Sequence, residues 1–183
     1  MNGIGSHQSA RMQKDEWLTP PEIIRALGPF DLDPCSPVNR PWNTAAKHFT
    51  VESCGLSQKW SGRVWLNPPY GKYTAEWMER LAEHGNGIAL IFARTETQTF
   101  FDHVWPKADA ILFLEGRLHF YHVNGQRSEG NSGAPSVLIA YGSDNAKSLR
   151  ASGLAGAYLD LSHMPVIPTT ERDYPLLAGG CDG

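Results

Sequence analysis

Four consecutive residues, Asn67-Pro68-Pro69-Tyr70, carry the clearest chemistry in the sequence. An aromatic amine is a poor nucleophile because its lone pair is delocalised into the ring. Two acceptors aimed at its N–H groups favour a pyramidal nitrogen with a localised lone pair. The Asn67 side-chain oxygen and the Pro68 carbonyl supply such a pair, and two prolines restrict the backbone so that both are set in advance. Tyr70 adds a flat face on which a heterocycle can stack. The tetrapeptide follows an apolar run, Val64-Trp65-Leu66, and precedes Gly71. It therefore sits at the carboxyl end of a strand, where open α/β sheets bind ligands. A plain Pro-Pro turn with a capping Asn and an interfacial Tyr is the structural alternative.

Two further stretches could act with it. Thr19-Pro20-Pro21 reads by itself as a helix start, and it lies just upstream of a strand ending Asp31-Leu32-Asp33-Pro34-Cys35-Ser36. A strand followed by an acid-Pro-small turn can hold a ligand's amino group through the Asp33 carboxylate. An Asx-Pro turn without function is the alternative. Arg94 and Arg117 follow strands or turns on the presumed active edge, where phosphate contact and a surface salt bridge are both open readings. The histidines show no metal-ligand spacing with Cys or carboxylates, so no metal is expected.

These residues must be positioned by regular elements. Residues 20–28 predict a short helix capped by Thr19 and stopped by Gly28. Residues 30–33 predict a strand, 47–51 a second, and 63–66 a third. Thr74 to His84 shows helical spacing of Trp77, Met78 and Leu81, broken by Gly85 to Gly87. Ile88 to Phe92 is continuously apolar, as in a strand buried on both faces. A helix over 97–104, strands over 110–114, 118–123 and 136–141, and a loop over 125–133 complete the pattern. The result is one α/β sheet, mostly parallel with an antiparallel end. Residues 1–15 read as a mobile N-terminal arm, and the Gly/Ala/Pro-rich segment after Gly142 gives no clear element.

The motifs taken together resemble a known series. Trp17-Leu18-Thr19-Pro20-Pro21-Glu22, Asp31 to Cys35, Gly55-Leu56 with Trp60, Asn67 to Gly71, Ala93-Arg94-Thr95-Glu96-Thr97 and Gly116-Arg117-Leu118-His119-Phe120 look like the motifs of phage-type (Dam-like) DNA N6-adenine methyltransferases. The order, with Thr-Pro-Pro first, resembles the γ class of amino-methyltransferases. The resemblance spans roughly residues 15–141. It implies a single Rossmann-like S-adenosylmethionine-dependent methyltransferase domain over residues 16–183, working on flipped adenine in DNA in the cytoplasm of a bacterial host, with a phage or prophage origin. It also implies that Thr19, Pro20, Asp33, Pro34 and Cys35 contact the cofactor. Asn67, Pro68, Pro69 and Tyr70 would grip and activate the base, with Phe120 packed against it. The sequence departs from a general methyltransferase pattern in having Pro34-Cys35-Ser36-Pro37 where a Gly-x-Gly turn is usual. Glu52 is the candidate for the acid that holds the ribose hydroxyls, against a solvated loop acid.

The same tetrapeptide occurs in enzymes that methylate adenine in RNA or the amide of protein glutamine. The glutamine enzymes usually carry the Gly-rich turn that is missing here. A catalytically silent nucleic-acid-binding module would be expected to have lost Asn67, Pro68 or Tyr70, and all three are present.

Composition bounds what remains. The 183 residues are 41% hydrophobic, which suffices for one domain with a core. Three cysteines, Cys35, Cys54 and Cys181, suggest neither a disulfide framework nor a zinc site, and a reduced, intracellular setting follows. No apolar run resembles a signal peptide or a membrane span. Net charge is -3, with 15 acids and 15 bases in residues 1–150 and the excess acid beyond. DNA must therefore meet a local rim, for which Lys72, Arg94, Arg117 and Arg127 are the candidates, on a monomer or weak homodimer. The loop 124–135, the arm 1–16 or a second subunit would read the DNA sequence.

Overall fold

The computed structural model describes residues 17–165. The predicted arm over 1–15, Cys181 and the segment from 166 onward lie outside the described residues. In chain order the elements are α1 (Pro21–Leu27), β1 (Leu32–Asp33), β2 (Lys47–His48), β3 (Val64–Leu66), α2 (Thr74–His84), β4 (Gly87–Phe92), β5 (Ala110–Leu114), β6 (Ser136–Tyr141), α3 (Ser143–Ala151) and β7 (Gly156–Asp160). They form a mixed α/β structure around one seven-stranded sheet of order β2-β1-β3-β4-β6-β5-β7. β2, β1, β3 and β4 are mutually parallel, whereas β6 runs antiparallel to both β4 and β5, and β7 antiparallel to β5. The expected parallel sheet with an antiparallel end is therefore present.

Why the strands are apolar without alternation is visible in the packing. On one face Val64, Leu66, Ala89, Ile91, Val137 and Ile139 meet Trp77, Met78 and Leu81 of α2. On the other, Trp65, Ile88, Leu90, Leu138 and Ala140 meet Ile23 and Leu27 of α1 and Leu149 of α3. Both faces are covered, so successive residues of a strand all lose water, as in other helix-covered sheets. Arg63 ties the second layer together. It donates to the carbonyls of Leu27 at 2.6 Å and Pro29 at 2.9 Å, to Asn145 Oδ1 at 2.6 Å and to Ser148 Oγ at 3.1 Å, while lying over the Phe30 ring.

Several expectations need correction. Thr19 does not cap α1; Pro20 holds the cap position without a side-chain bond, and Thr19 is buried instead. The strand over 118–123 does not form. Only Tyr121 bridges there, to Leu18 and to Arg127, because this segment leaves the sheet edge and folds over the site. The helix expected over 97–104 is present from residue 98, but it takes the wider π form at Phe100–Val104. The segment after Gly142 contributes α3 and an extra edge strand, β7, that its Gly/Ala-rich composition concealed.

Candidate active site

β1, β3, β4 and β5 all point their carboxyl ends to the same edge, and the loops leaving them meet there. The loop after β3 is Asn67-Pro68-Pro69-Tyr70. Gly71, with φ 117°, lets the chain turn from it into α2, and Thr74 Oγ1 closes the turn by donating to the Pro69 carbonyl at 3.0 Å and accepting Gly71 N–H at 3.1 Å. The Asn67 side chain is oriented from behind. Its Nδ2 donates to the Trp17 carbonyl at 3.3 Å, and its Oδ1 lies 3.4 Å from the Tyr70 hydroxyl. The Pro68 carbonyl receives no hydrogen bond from the described residues. An oriented amide oxygen and a free carbonyl thus stand on adjacent residues, which is the acceptor pair that an amine would need.

Two cavities flank this loop. The larger, about 460 Å³, is bounded by the turns after β1 and β2 and by α2. Asn67, Pro68, Pro69 and Tyr70 form one side of it and Pro34, Cys35 and Ser36 another. The smaller, about 110 Å³, is walled by Tyr70, Phe92 and Phe120 and closed by Ser128 to Ser132. Tyr70 and Trp17 belong to both linings. The Tyr70 ring stacks on Phe92 with centroids 4.1 Å apart and planes at 18°, and it meets Phe120 edge-on at 6.4 Å.

The turn after β1 is held tightly. The buried Asp33 carboxylate accepts the Cys35 N–H at 3.1 Å and the Thr44 hydroxyl. Burial pushes its pKa up to about 6, against the lowering effect of Thr44, the Cys35 N–H and the Arg40 charge. Burial and the Arg40 charge lower His48 to about 4, so its neutral Nε2 accepts the N–H groups of Thr44 and Ala45, each at 3.3 Å. Cys35 Sγ donates to the Asn67 carbonyl at 3.1 Å. Burial, then the Asp33 charge, raises the Cys35 pKa, so it stays a thiol and links the two loops as a donor. Gly55 packs on the same turn so closely that a Cβ there would lie 1.8 Å from the Pro34 carbonyl oxygen.

Of the residues singled out from the sequence, Pro34, Cys35 and the tetrapeptide line the large cavity, and Tyr70 and Phe120 the small one. Asp33 lies beneath the wall with both carboxylate oxygens occupied by the protein. Thr19 and Pro20 are buried and line neither cavity. Glu52 is exposed and outside the lining, whereas its neighbours Thr50 and Val51 form part of the wall. Lys72, Arg94, Arg117 and Arg127 are exposed. His119 is half-buried, with Nδ1 3.3 Å from the Ser128 carbonyl.

Sequence reasoning missed Trp17 as the shared wall, Tyr73 and Trp77 on the large cavity, and Phe92 and Ser128 to Ser132 on the small one. Phe92 had a signal, since it ends an apolar strand at the active edge. Trp77 had none beyond its core spacing. Among the described residues, no group of three or more His, Cys, Asp or Glu could hold a metal ion, and no helix is long and apolar enough to cross a membrane.

The sheet's loops thus build paired cavities beside the Asn67-Pro68-Pro69-Tyr70 turn, a layout consistent with an amino-methyltransferase. The family model for DNA N-6-adenine-methyltransferase (Dam) matches residues 6–150, and the chain belongs to that family. No curated protein and no solved structure matches the chain. The reaction is accordingly methyl transfer from S-adenosylmethionine to N6 of adenine in DNA. Of the substrates left open by the tetrapeptide alone, the family's description names adenine in DNA.

Proposed function

We propose that the larger cavity takes S-adenosylmethionine and the smaller one takes the target adenine, rotated out of the duplex. The observation that carries this reading is the shared wall: Tyr70 and Trp17 border both cavities, and Asn67, on the larger one, is hydrogen-bonded to both of these residues. The donor set suits the cofactor. About 460 Å³ falls within the range of cofactor-sized clefts, aromatic rings of Tyr73 and Trp77 can face an adenine moiety, and Cys35, Ser36 and Thr50 border the polar end. The wall packs closely only because residue 55 has no side chain: a Cβ there would lie 1.8 Å from the Pro34 carbonyl oxygen and 3.2 Å from the Trp77 ring. When bound, S-adenosylmethionine supplies an electrophilic methyl group.

The chain's own residues do the rest. Tyr70, stacked on Phe92 and braced by Phe120, holds the base plane. Burial raises the Tyr70 pKa, so the hydroxyl stays neutral and can keep Asn67 Oδ1 oriented. Asn67 Oδ1 and the Pro68 carbonyl accept the two N6 hydrogens, which localises the nitrogen lone pair towards the large cavity. Preorganised acceptors contribute because they need no rearrangement as positive charge builds on the nitrogen. Asp33, beneath the wall, shapes the Pro34–Ser36 turn and places a negative charge near the cofactor's cationic end without touching it. Thr19 and Pro20 support the site from the core, and Glu52 keeps no direct contact unless the 50–53 turn closes on the cofactor.

Three of the exposed cations belong to the connections that line or adjoin the smaller cavity. Arg94 lies two residues past Phe92, Arg127 adjoins Ser128, and Arg117 donates to the Ser132 carbonyl at 3.5 Å. Phosphates would therefore approach on the base side, with Lys72 at the tip of the tetrapeptide loop. This supports base flipping, in which an extruded nucleotide enters a snug aromatic pocket. The proposal extends to one Rossmann-like domain over residues 16–183, acting as a monomer or weak homodimer in the bacterial cytoplasm.

Variants that alter one cavity at a time test the assignment. Val51→Trp should raise the Kd for S-adenosylmethionine at least ~10-fold by calorimetry and leave DNA binding unchanged, and Phe120→Leu should do the reverse. Loss of cofactor affinity in Phe120→Leu, with intact affinity in Val51→Trp, would exchange the two cavities.

A further inference from the structure

The smaller cavity contains polar groups with no work to do inside the protein. Its aromatic walls can stack on any base, because every base has a π-face. Discrimination must come from a few placed donors and acceptors. The Asn131 side chain lines this cavity and makes no hydrogen bond with any described residue, and neither does the Ser128 hydroxyl. Ser132, the other hydroxyl in the wall, is already spent on the Ala134 carbonyl at 2.9 Å.

The segment that presents these groups is pinned at both ends. Ser128 N–H donates to the Phe120 carbonyl at 2.8 Å, and Ser132 N–H to the Leu118 carbonyl at 2.6 Å. Arg117 and His119 reach the Ser132 and Ser128 carbonyls from the same side. Residues 129–131 form the short span between the two anchors. The aromatic wall residue Phe120 and the polar tip are therefore one rigid unit. An exposed amide held against an aromatic pocket, with its donors and acceptor unused, is a reading head for a heterocycle's edge.

We propose that Asn131, aided by the Ser128 hydroxyl, determines base identity by donating a hydrogen bond to a ring nitrogen of the target adenine. This rests on the smaller cavity being the base site. Once Asn67 and Pro68 hold both N6 hydrogens, the exocyclic amine is spent. What remains on an adenine edge are ring-nitrogen acceptors, and the Asn131 amide N–H₂ is the complementary donor. Cytosine carries a ring nitrogen beside its amine just as adenine carries N1 beside N6, so discrimination against cytosine rests on a bond to adenine N3 or N7, positions at which cytosine has no free ring-nitrogen acceptor.

The test uses duplex oligonucleotides carrying the sequence that the wild-type enzyme methylates in the DNA of expressing cells. The target adenine is replaced in turn by 1-deaza-, 3-deaza- and 7-deazaadenine. The wild-type enzyme should lose about 10-fold in kcat/KM with one of the three, the scale of one unmade hydrogen bond to a polar partner. Asn131→Ala should lose about 10-fold with adenine and show no further loss with that analogue. Asn131→Asp, which folds with the same shape but cannot donate, should behave as the Ala variant does, and both should bind S-adenosylmethionine as the wild type does. A full analogue penalty retained in both variants, or no penalty with any analogue in the wild type, overturns the role of Asn131. In parallel, 2-aminopurine at the target position should brighten on wild-type binding as it leaves the stack. If it does not, the base-cavity assignment fails, and the role of Asn131 fails with it. If it brightens while the analogue penalties persist in the variants, Asn131 alone is wrong.

Discussion

At the scale of single residues, the tetrapeptide was legible because each residue type had a chemical reason, and its placement at a strand end followed from the apolar run before it. What the sequence could not convey is how Asn67 is oriented. Its amide is fixed by the carbonyl of Trp17, fifty positions away, and by the neighbouring hydroxyl of Tyr70. Asn67→Ala should lower the rate of methyl transfer ~10²–10³-fold, as loss of one preorganised group usually does, with S-adenosylmethionine affinity within a few-fold of wild type by calorimetry. Tyr70→Phe should keep more activity than Tyr70→Ala in steady-state assays, since stacking on bases is worth ~1–3 kcal/mol; equal losses would make the hydroxyl the essential part. Asp33 differs from its sequence reading, because both its oxygens serve the protein. With a pKa raised by burial to about 6, Asp33 favours the proton-bound fold. Its contribution to the stability of the ligand-free protein is fully present below its ordinary 3.8 and is lost as pH rises through 6. A bound cation nearby favours the carboxylate, so the Kd for S-adenosylmethionine should rise as pH falls through 6, by at most tenfold per unit for one proton. Calorimetry across pH 5 to 8 should show that slope in the wild type and a flatter one in Asp33→Asn.

At the scale of elements, long apolar or strongly periodic segments announced themselves. α2, β5 and β6 occupy the residues that their patterns gave, Thr74–His84, Ala110–Leu114 and Ser136–Tyr141. The failures have physical causes. Leu118 to Val123 has strand-like composition, but its partners are single bridges, and its backbone hydrogen bonds are divided among Leu18, the 125–126 turn and the pinned 128–132 segment. α3 and β7 were hidden because Gly and Ala give weak periodicity, and the helix is secured instead by Asn145 and Ser148 binding Arg63. Arg63→Lys should therefore lower stability by about 2 kcal/mol in denaturant unfolding, since a lysine cannot satisfy the same fork of carbonyls, while kcat of the folded fraction holds. The close packing of Gly55 on the turn after β1 makes the opposite prediction for a smaller change. Gly55→Ala inserts a Cβ against a backbone oxygen that cannot step aside, so it should cost about 1–3 kcal/mol and weaken cofactor binding together. A variant with unchanged melting temperature and affinity would show that the turn yields.

At the scale of the whole molecule, the proposed answer to holding a polyanion with balanced charge is a local group of exposed cations on the connections that line or adjoin one cavity. Composition alone pointed only to the need for such a rim; which side of the tetrapeptide it would occupy depended on the fold, because Arg94 comes from the β4–β5 connection and Arg117 and Arg127 from the β5–β6 connection. Charge reversal at Arg94 or Arg117 should raise the apparent KM for DNA, most strongly at low salt, and leave cofactor affinity unchanged. Titration with duplex DNA at two salt concentrations reads this, and wild-type affinity in both variants at both salts would move the DNA to another face. The central claim, that this sheet edge delivers a methyl group to adenine N6 through Asn67, has a single direct measurement. Genomic and plasmid DNA from methylation-deficient bacteria expressing the wild-type protein or Asn67→Ala is digested to nucleosides and quantified by mass spectrometry. The wild type should yield N6-methyldeoxyadenosine and the folded Asn67→Ala protein none above background; equal amounts from the two, or none from folded wild-type protein supplied with S-adenosylmethionine, would contradict the account.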